Sequence, residues 1–317
     1  MKRNSAFTLL EISIAIVVIA LAYGAFQVSK KMFSNAESLV ALNQADNNWE
    51  GTSGSVIEET TEYDPNLTHY YPFSATDTYT DLVSGYNLTL VNNGYAISQS
   101  NFTDDSGRSR ESISFQNAGV TSADSSNSFL NASNHVSSFL SPEVSISFWV
   151  YYDYDLPGQH TNSYLLHIRD TSKSSGDGRF VINMSRNASQ NYSLLKITAA
   201  GDWSGTPRFQ MSTPSSMDMG DGDWHHVVIL YSETIKKTYI DNQLINMTIL
   251  RGSESSSVTL DDELSDADVV VFGVSAAQGT STNLQAGARL RLSEFRFYDD
   301  LLTEQEIADL YNEVSEE

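Results

Sequence analysis

A single acid, Glu11, interrupts an otherwise uncharged apolar run at residues 7–28 (FTLLEISIAIVVIALAYGAFQV). A carboxylate held near bilayer depth costs a few kcal/mol unless something pairs with it, so it is a functional residue by default. The other chemistry-bearing groups offer less. His225 and His226 are adjacent; on a strand they point to opposite faces and cannot chelate one metal together. The acid-rich segments 218–223 (DMGDGD) and 261–268 (DDELSDAD) supply oxygens of the kind calcium takes, without the spacing of an EF-hand loop. Glu263 and Asp266 sit in DDELSD, which reads as a turn and lacks the alternating apolar face that would hold a hydrolytic carboxylate pair on a strand. There is no cysteine, hence no disulfide and no thiolate metal site. No G-x-S-x-G, H-E-x-x-H or phosphate-binding loop occurs.

The elements that carry these residues differ sharply along the chain. As a helix, residues 7–28 span roughly 33 Å, enough to cross a bilayer. A cleaved secretory signal is the competing interpretation, but the run is too long for one and is followed by Lys30–Lys31 rather than a small-residue cleavage pattern. Residues 29–48 turn amphipathic, with Met32, Phe33, Ala36, Leu39, Val40 and Asn43 near helical spacing. Residues 49–66 (WEGTSGSVIEETTEYDPN) read as a linker, which puts the domain boundary near residue 66.

From residue 67 onward the texture is all-β. Strands are predicted at 145–152, 164–169, 179–184, 193–199, 208–211, 225–232, 238–240, 269–274 and 290–297. In SISFWVYY, Ile146, Phe148 and Val150 share one face, and Trp149 and Tyr151 the other. One helix is expected at 303–313 (TEQEIADLYNE), with a capping box from Thr303 to Glu306 and Ile307, Leu310 and Tyr311 facing inward. About nine to twelve strands with few helices argue a two-sheet sandwich or jelly roll. The net charge of −22 repels nucleic acid and anionic headgroups and suits an exported domain.

Basic residues, then Ala6 and Phe7-Thr8-Leu9-Leu10-Glu11 ahead of an apolar helix, resemble the processing site of type IV prepilins and pseudopilins. The resemblance implies cleavage by a prepilin peptidase between Ala6 and Phe7, N-methylation of Phe7, and pairing of Glu11 with the Phe7 ammonium of a neighbouring subunit. It departs from the family at Ala6, where glycine is usual, and at Val28, where major pilins commonly carry the proline that kinks the helix. A second resemblance covers residues 67–317. Tyr70-Tyr71-Pro72-Phe73, Asp81 and the segment 84–90, the strand 145–150, Asp223-Trp224-His225-His226-Val227 with Thr238-Tyr239-Ile240-Asp241-Asn242, and the closing block 292–307 are similar to laminin-G-like, concanavalin-A-type jelly rolls. That family implies calcium as a cofactor, with Asp81 as the candidate ligand, and carbohydrate as a partner. Some of its members hydrolyse polysaccharides through an E-x-D-x-x-E cluster, which this chain lacks.

The expectation is therefore a mainly β protein in which a long N-terminal transmembrane α-helix precedes an antiparallel two-sheet jelly-roll sandwich. Its segments are a leader at 1–6, an assembly helix at 7–48, a linker at 49–66 and a laminin-G-like domain at 67–317. The expected role is a non-enzymatic, type IV pilin-like filament subunit that displays a lectin-like domain for adhesion. It would pass through the inner membrane as a single-pass protein and then stand at the cell surface, with other pilin subunits, prepilin peptidase, the membrane and carbohydrate as partners. The alternatives are a pseudopilin or minor pilin acting in secretion or filament initiation, and a surface-anchored glycosidase.

Overall fold

The computed structural model describes residues 64–117, 127–153, 162–172, 178–187, 192–199, 209–252, 259–276 and 284–313. The assembly segment with Ala6, Phe7 and Glu11 lies outside the described residues. Among the described residues no helix is long and apolar enough to cross a membrane.

Residues 66–317 form one compact unit. Its strands in chain order are β1 (Leu67–Tyr71), β2 (Thr89–Val91), β3 (Ile97–Thr103), β4 (Ser109–Gln116), β5 (Phe129–Asn131), β6 (Val144–Asp153), β7 (Asn162–Arg169), β8 (Arg179–Asn187) and β9 (Tyr192–Ala199). They continue with β10 (Phe209–Ser212), β11 (Asp221–Tyr231), β12 (Lys236–Ile240), β13 (Gln243–Ile245), β14 (Thr248–Gly252), β15 (Val269–Phe272), β16 (Val274–Ala276), β17 (Leu284–Gly287) and β18 (Arg289–Tyr298). Helix α1 (Leu260–Leu264) and helix α2 (Glu304–Glu313) complete the set, with a 3₁₀ segment at Ser133–Phe139. The first sheet has eight strands in the order β13-β12-β11-β6-β18-β4-β3, with β1 added beside β18. The second has eight in the order β14-β10-β9-β8-β7-β15-β5-β2, and β16–β17 form a small ribbon. Pairing in both large sheets is antiparallel.

Alternation decides which side chains fill the space between the sheets. Ile146, Phe148, Val150 and Tyr152 of β6 meet Phe180, Ile182 and Met184 of β8, Leu195 and Ile197 of β9, and Phe209 and Met211 of β10 in one core. Strand β18 shows how sequence phase sets geometry. Leu290 and Leu292 point inward, as do Phe295 and Phe297, so the alternation slips by one residue between the two pairs. A β-bulge absorbs the slip, with Glu294 in the left-handed region at φ 48°. Gly273 ends β15 at φ 84°; a Cβ there would lie 2.2 Å from the buried Phe115 ring, so only glycine fits.

More strands form than the sequence suggests, because β2, β5 and β13 are only three residues long and carry no readable period. The DDELSD segment is also not a plain turn. It opens with α1, whose Leu260 and Leu264 are buried in the core. The capping box of α2 forms as expected: Thr303 N donates to Glu306 Oε2 at 2.7 Å, and Glu306 N donates to Thr303 Oγ1 at 3.3 Å.

Candidate functional site

Asp81 lies where the chain enters the sandwich, and it is fully committed there. One carboxylate oxygen accepts hydrogen bonds from the backbone N–H groups of Tyr70 (3.0 Å), Val83 (3.0 Å) and Ser84 (3.3 Å). The other meets His69 Nδ1 at 2.6 Å and accepts from the Ser84 hydroxyl. Burial opposes ionisation, but the His69 and Ser84 hydrogen bonds and the Tyr70 N–H outweigh it and hold the carboxyl below its usual range. With both oxygens engaged by the chain's own donors, Asp81 does not fit a calcium ligand. It acts as a clasp, closing the loop back onto β1. Nor is the Ser84–His69–Asp81 grouping a nucleophilic triad: Ser84 and Asp81 share the same ring nitrogen, while Nε2 faces the Ser138 carbonyl at 3.3 Å.

The acidic loops behave in the same way. Asp218 accepts from the N–H groups of Ser193 and Gly220, and Asp268 from the Thr171 N–H and hydroxyl. Among the described residues no group of three or more metal-ligating side chains converges.

The adjacent histidines occupy opposite environments. His225 sits between Asp241 (Nδ1, 2.7 Å) and Asp221 (Nε2, 3.0 Å). Burial disfavours its charge, yet the two carboxylates prevail and raise its pKa from 6.5 to about 9. Asp241 and Asn242 form the tight β12–β13 turn at φ 50° and 60°, and Asp241 also accepts from the His226 N–H. His226 faces the other way. It contacts Ser147 Oγ at 2.9 Å and lies 4.9 Å from the Trp149 ring. Burial first, then the Arg296 and Arg110 charges, push its pKa down to about 3.

The two sheets finish their outer faces differently. Outward on the first sheet, Trp149, Tyr151 and Trp224 form a buried cluster with Phe102 and Tyr311. Arg110 lies 3.3 Å above the Trp149 ring and donates to Glu294 at 2.9 Å, and Arg291 lies 4.0 Å over Phe102. Helix α2 closes this face, with Tyr311 stacked on Trp149 at 5.7 Å and Arg296 bonded to Glu313 at 3.0 Å.

On the second sheet the strand register assembles one continuous outward row: Arg251, Gln210, Thr198, Val181, His167, Val271, Asn131 and Thr89. A neighbouring row brings together Ser212, Lys196, Asn183 and Tyr164, and Arg179 stands opposite Arg169. Gln210 Nε2 donates to Thr198 Oγ1 at 2.9 Å, and Asn183 Nδ2 to Asn162 Oδ1 at 3.3 Å, so the polar groups are braced. His167 is wholly buried, and burial, then the Arg179 and Arg169 charges, hold its pKa well below the ordinary value. None of the eight strands of this sheet contains Asp or Glu, although the chain has 40 acidic residues. Sequence reasoning locates five of these strands but not the rows, because a shared face is a product of register. The missing acids are the signal in the sequence that points to it.

A search of curated proteins found no match. Among solved structures, the chain is similar to botulinum neurotoxin type C, whose cell entry depends on interaction with two ganglioside molecules (17% identity, TM-score 0.48, 78% of this chain and 51% of that one). It is likewise similar to the binding domain of botulinum neurotoxin DC in complex with rat synaptotagmin II (14% identity, TM-score 0.47, 78% and 52%). A third likeness is to domain 4 of AbnA, a GH43 extracellular arabinanase from Geobacillus stearothermophilus, in complex with arabinotriose (15% identity, TM-score 0.45, 78% and 98%). The chain spans about half the length of the toxin chains it matches. Residues 120–308 match the laminin G family described as the concanavalin A-like lectin/glucanases superfamily. That match takes in more than half of the sequence and most of the two-sheet antiparallel sandwich, and this chain belongs to that superfamily.

Proposed function

We propose that this protein is a carbohydrate-binding module without hydrolytic activity, carried on a type IV pilin-like filament subunit. The observation that carries the binding half is the outer face of the second sheet. Glycoside hydrolysis ordinarily needs two carboxyl groups flanking the scissile bond, and no strand of this sheet supplies even one. What the face does supply, at its accessible positions, is the amides of Gln210 and Asn131, the Thr89 hydroxyl, the Lys196 and Arg251 cations and the Tyr164 ring, with Gln210 braced by the buried Thr198. Such groups hydrogen-bond hydroxyls and stack on sugar rings, as a lectin site requires. The superfamily's description names lectins and glucanases together, which supports carbohydrate as the ligand.

The filament half rests on the sequence at Ala6, Phe7 and Glu11. Cleavage ahead of Phe7 would leave an ammonium there, and Glu11 of a neighbouring subunit would neutralise it and set axial register.

Two measurements test the proposal. A glycan array probed with the full chain is expected to show binding that Gln210→Ala weakens, while polysaccharide substrates stay uncut; release of reducing ends would overturn the non-hydrolytic reading. Mass spectrometry of the surface-exposed protein is expected to find an N-terminus at methylated Phe7. Residues 1–6 found intact would overturn the filament assignment.

A further inference from the structure

Tyr86 is the one exposed aromatic side chain among the described residues, at 39%. It stands on the loop between β1 and β2, and that loop is tightly braced. Asp81 N donates to Asn87 Oδ1 at 3.0 Å, Gly85 N to the Asp81 carbonyl at 3.2 Å, and Leu88 N to the Tyr79 carbonyl at 2.8 Å. Gly85 takes φ 73°, a turn that glycine makes without strain. Tyr86 serves this frame through its backbone. Its N–H donates to Ser84 Oγ at 3.2 Å, and its carbonyl accepts from the Tyr71 hydroxyl at 2.9 Å. Other residues could make both bonds, so the loop itself does not call for an aromatic side chain. The ring rests on His135, with centroids 3.8 Å apart and planes within 8° of parallel. His135 thus covers one face and fixes the plane of the ring. His69, 6.1 Å away and tilted by 41°, is too distant to cover the other. Among the described residues the Tyr86 hydroxyl has no hydrogen-bond partner.

A ring held in one orientation, with one face and a hydroxyl uncommitted, is a preorganised stacking platform. We infer that Tyr86 is a second glycan contact, taking a pyranose ring that presents an unbroken face of C–H groups to it. The inference rests on the carbohydrate-binding reading above, but on a different part of the molecule. The size of the platform favours a sugar over a protein partner. Leu82 and Leu90 are the other exposed apolar side chains in this part of the chain. Three side chains fall far short of the about 800 Å² per partner that a stable protein contact buries. Polar groups flank the stack, because Asn87 and Asn134 are both exposed. The Asn87 oxygen is engaged by Asp81 N, which leaves its NH₂ as the donor for a sugar hydroxyl. Tyr86 also lies three residues ahead of Thr89, and His135 four beyond Asn131, the pair on which the outward row of the second sheet ends. Three residues span at most about 11 Å, which is within the length of a short oligosaccharide.

The test uses the full chain on an array of gluco-, galacto- and manno-oligosaccharides. Tyr86→Ala is expected to weaken binding of the retained glycans about tenfold, the size of one aromatic contact. Its melting temperature should stay close to that of the parent, because both backbone bonds of residue 86 survive. Tyr86→Phe should keep most of the affinity, and Tyr86→Trp should bind at least as tightly as the parent. Tyr86→Leu still packs on His135 but offers no ring, so it should bind as poorly as Tyr86→Ala. Should Tyr86→Ala fail to fold, the comparison of Tyr86→Leu with Tyr86→Phe carries the test. Parental affinity in Tyr86→Leu would make the stack a structural contact and overturn the inference. Parental affinity in Tyr86→Ala, with Gln210→Ala weakened, would overturn it and leave the carbohydrate reading standing. Retention of no glycan by the parent chain would overturn both.

Discussion

The first sheet finishes its outer face with an aromatic cluster under a helix, whereas the outer face of the second is largely polar, buried at His167, Asn183 and Thr198 and accessible at Gln210, Lys196 and Arg251. On the first, Arg110 is spent between Trp149 and Glu294, and α2 lays Tyr311 on top. On the second, a row of mostly polar residues, interrupted by Val181 and Val271, runs across all eight strands without an intervening acid. Both faces contain arginine and aromatic residues, so composition does not separate them. What separates them is the placement of acid. On the first sheet Glu294 stands on a strand beside Arg110. The strands of the second hold none, and Asp170 and Asp268 approach Arg169 from beyond the strand ends.

The sharpest way to test the contrast is to remove the centre of the covered face. Trp149→Ala is expected to cost about 3–5 kcal/mol in chemical denaturation, with glycan affinity of the remaining folded protein unchanged. A loss of affinity in step with stability would merge the two faces into one functional unit. Glu294→Gln should cost less, about 2–3 kcal/mol, because it leaves the buried Arg110 without its carboxylate while preserving shape.

The adjacent histidines on β11 give the contrast a pH axis. His225 is raised to about 9, so its contribution is fully present below 6.5 and is lost as pH climbs through about 9. His226 is depressed to about 3, so its contribution is present above 6.5 and is lost as pH falls toward 3. Melting temperature against pH should show His225→Gln flattening the alkaline limb and His226→Gln the acid limb. Exchange of the two effects would mean that the environments are assigned the wrong way round. The smallest stability effect belongs to the polar face. Gln210→Ala should change stability by only about 0.5 kcal/mol, yet weaken glycan binding measurably; a stability loss comparable to that of Trp149→Ala would make the face structural.

Much of the sandwich is legible in the sequence, for reasons visible in single strands. SISFWVYY alternates cleanly, and its two faces become the core and the Trp149 cluster. The closing helix announces itself through Thr303 and Glu306. The strand at 290–297 is likewise expected, but its bulge emerges only in the structure, as the slip from Leu290 and Leu292 to Phe295 and Phe297. Three-residue strands leave no such trace, since their positions are set by neighbours distant in the chain. The polar face is hidden for a related reason. His167, Thr198, Gln210 and Arg251 are ordinary outward residues in four separate strands, and only register makes them neighbours. Asp81 misleads in the opposite direction: an acid at a position suggestive of calcium is saturated by five local donors.

That clasp also defines how the domain carries mechanical load. A tether attached ahead of Asn66 pulls first on β1, whose one sheet partner among the described strands is β18. Tyr70 is held from its far side, its N–H by Asp81 and its carbonyl by Leu82, while Tyr71 donates to the Tyr86 carbonyl. Tension therefore meets the β1–β18 ladder and the clasped loop together, before it reaches the core between the sheets. Under a pulling force the sandwich should yield first at this latch, and Asp81→Ala should lower the rupture force of that first event without changing the later ones.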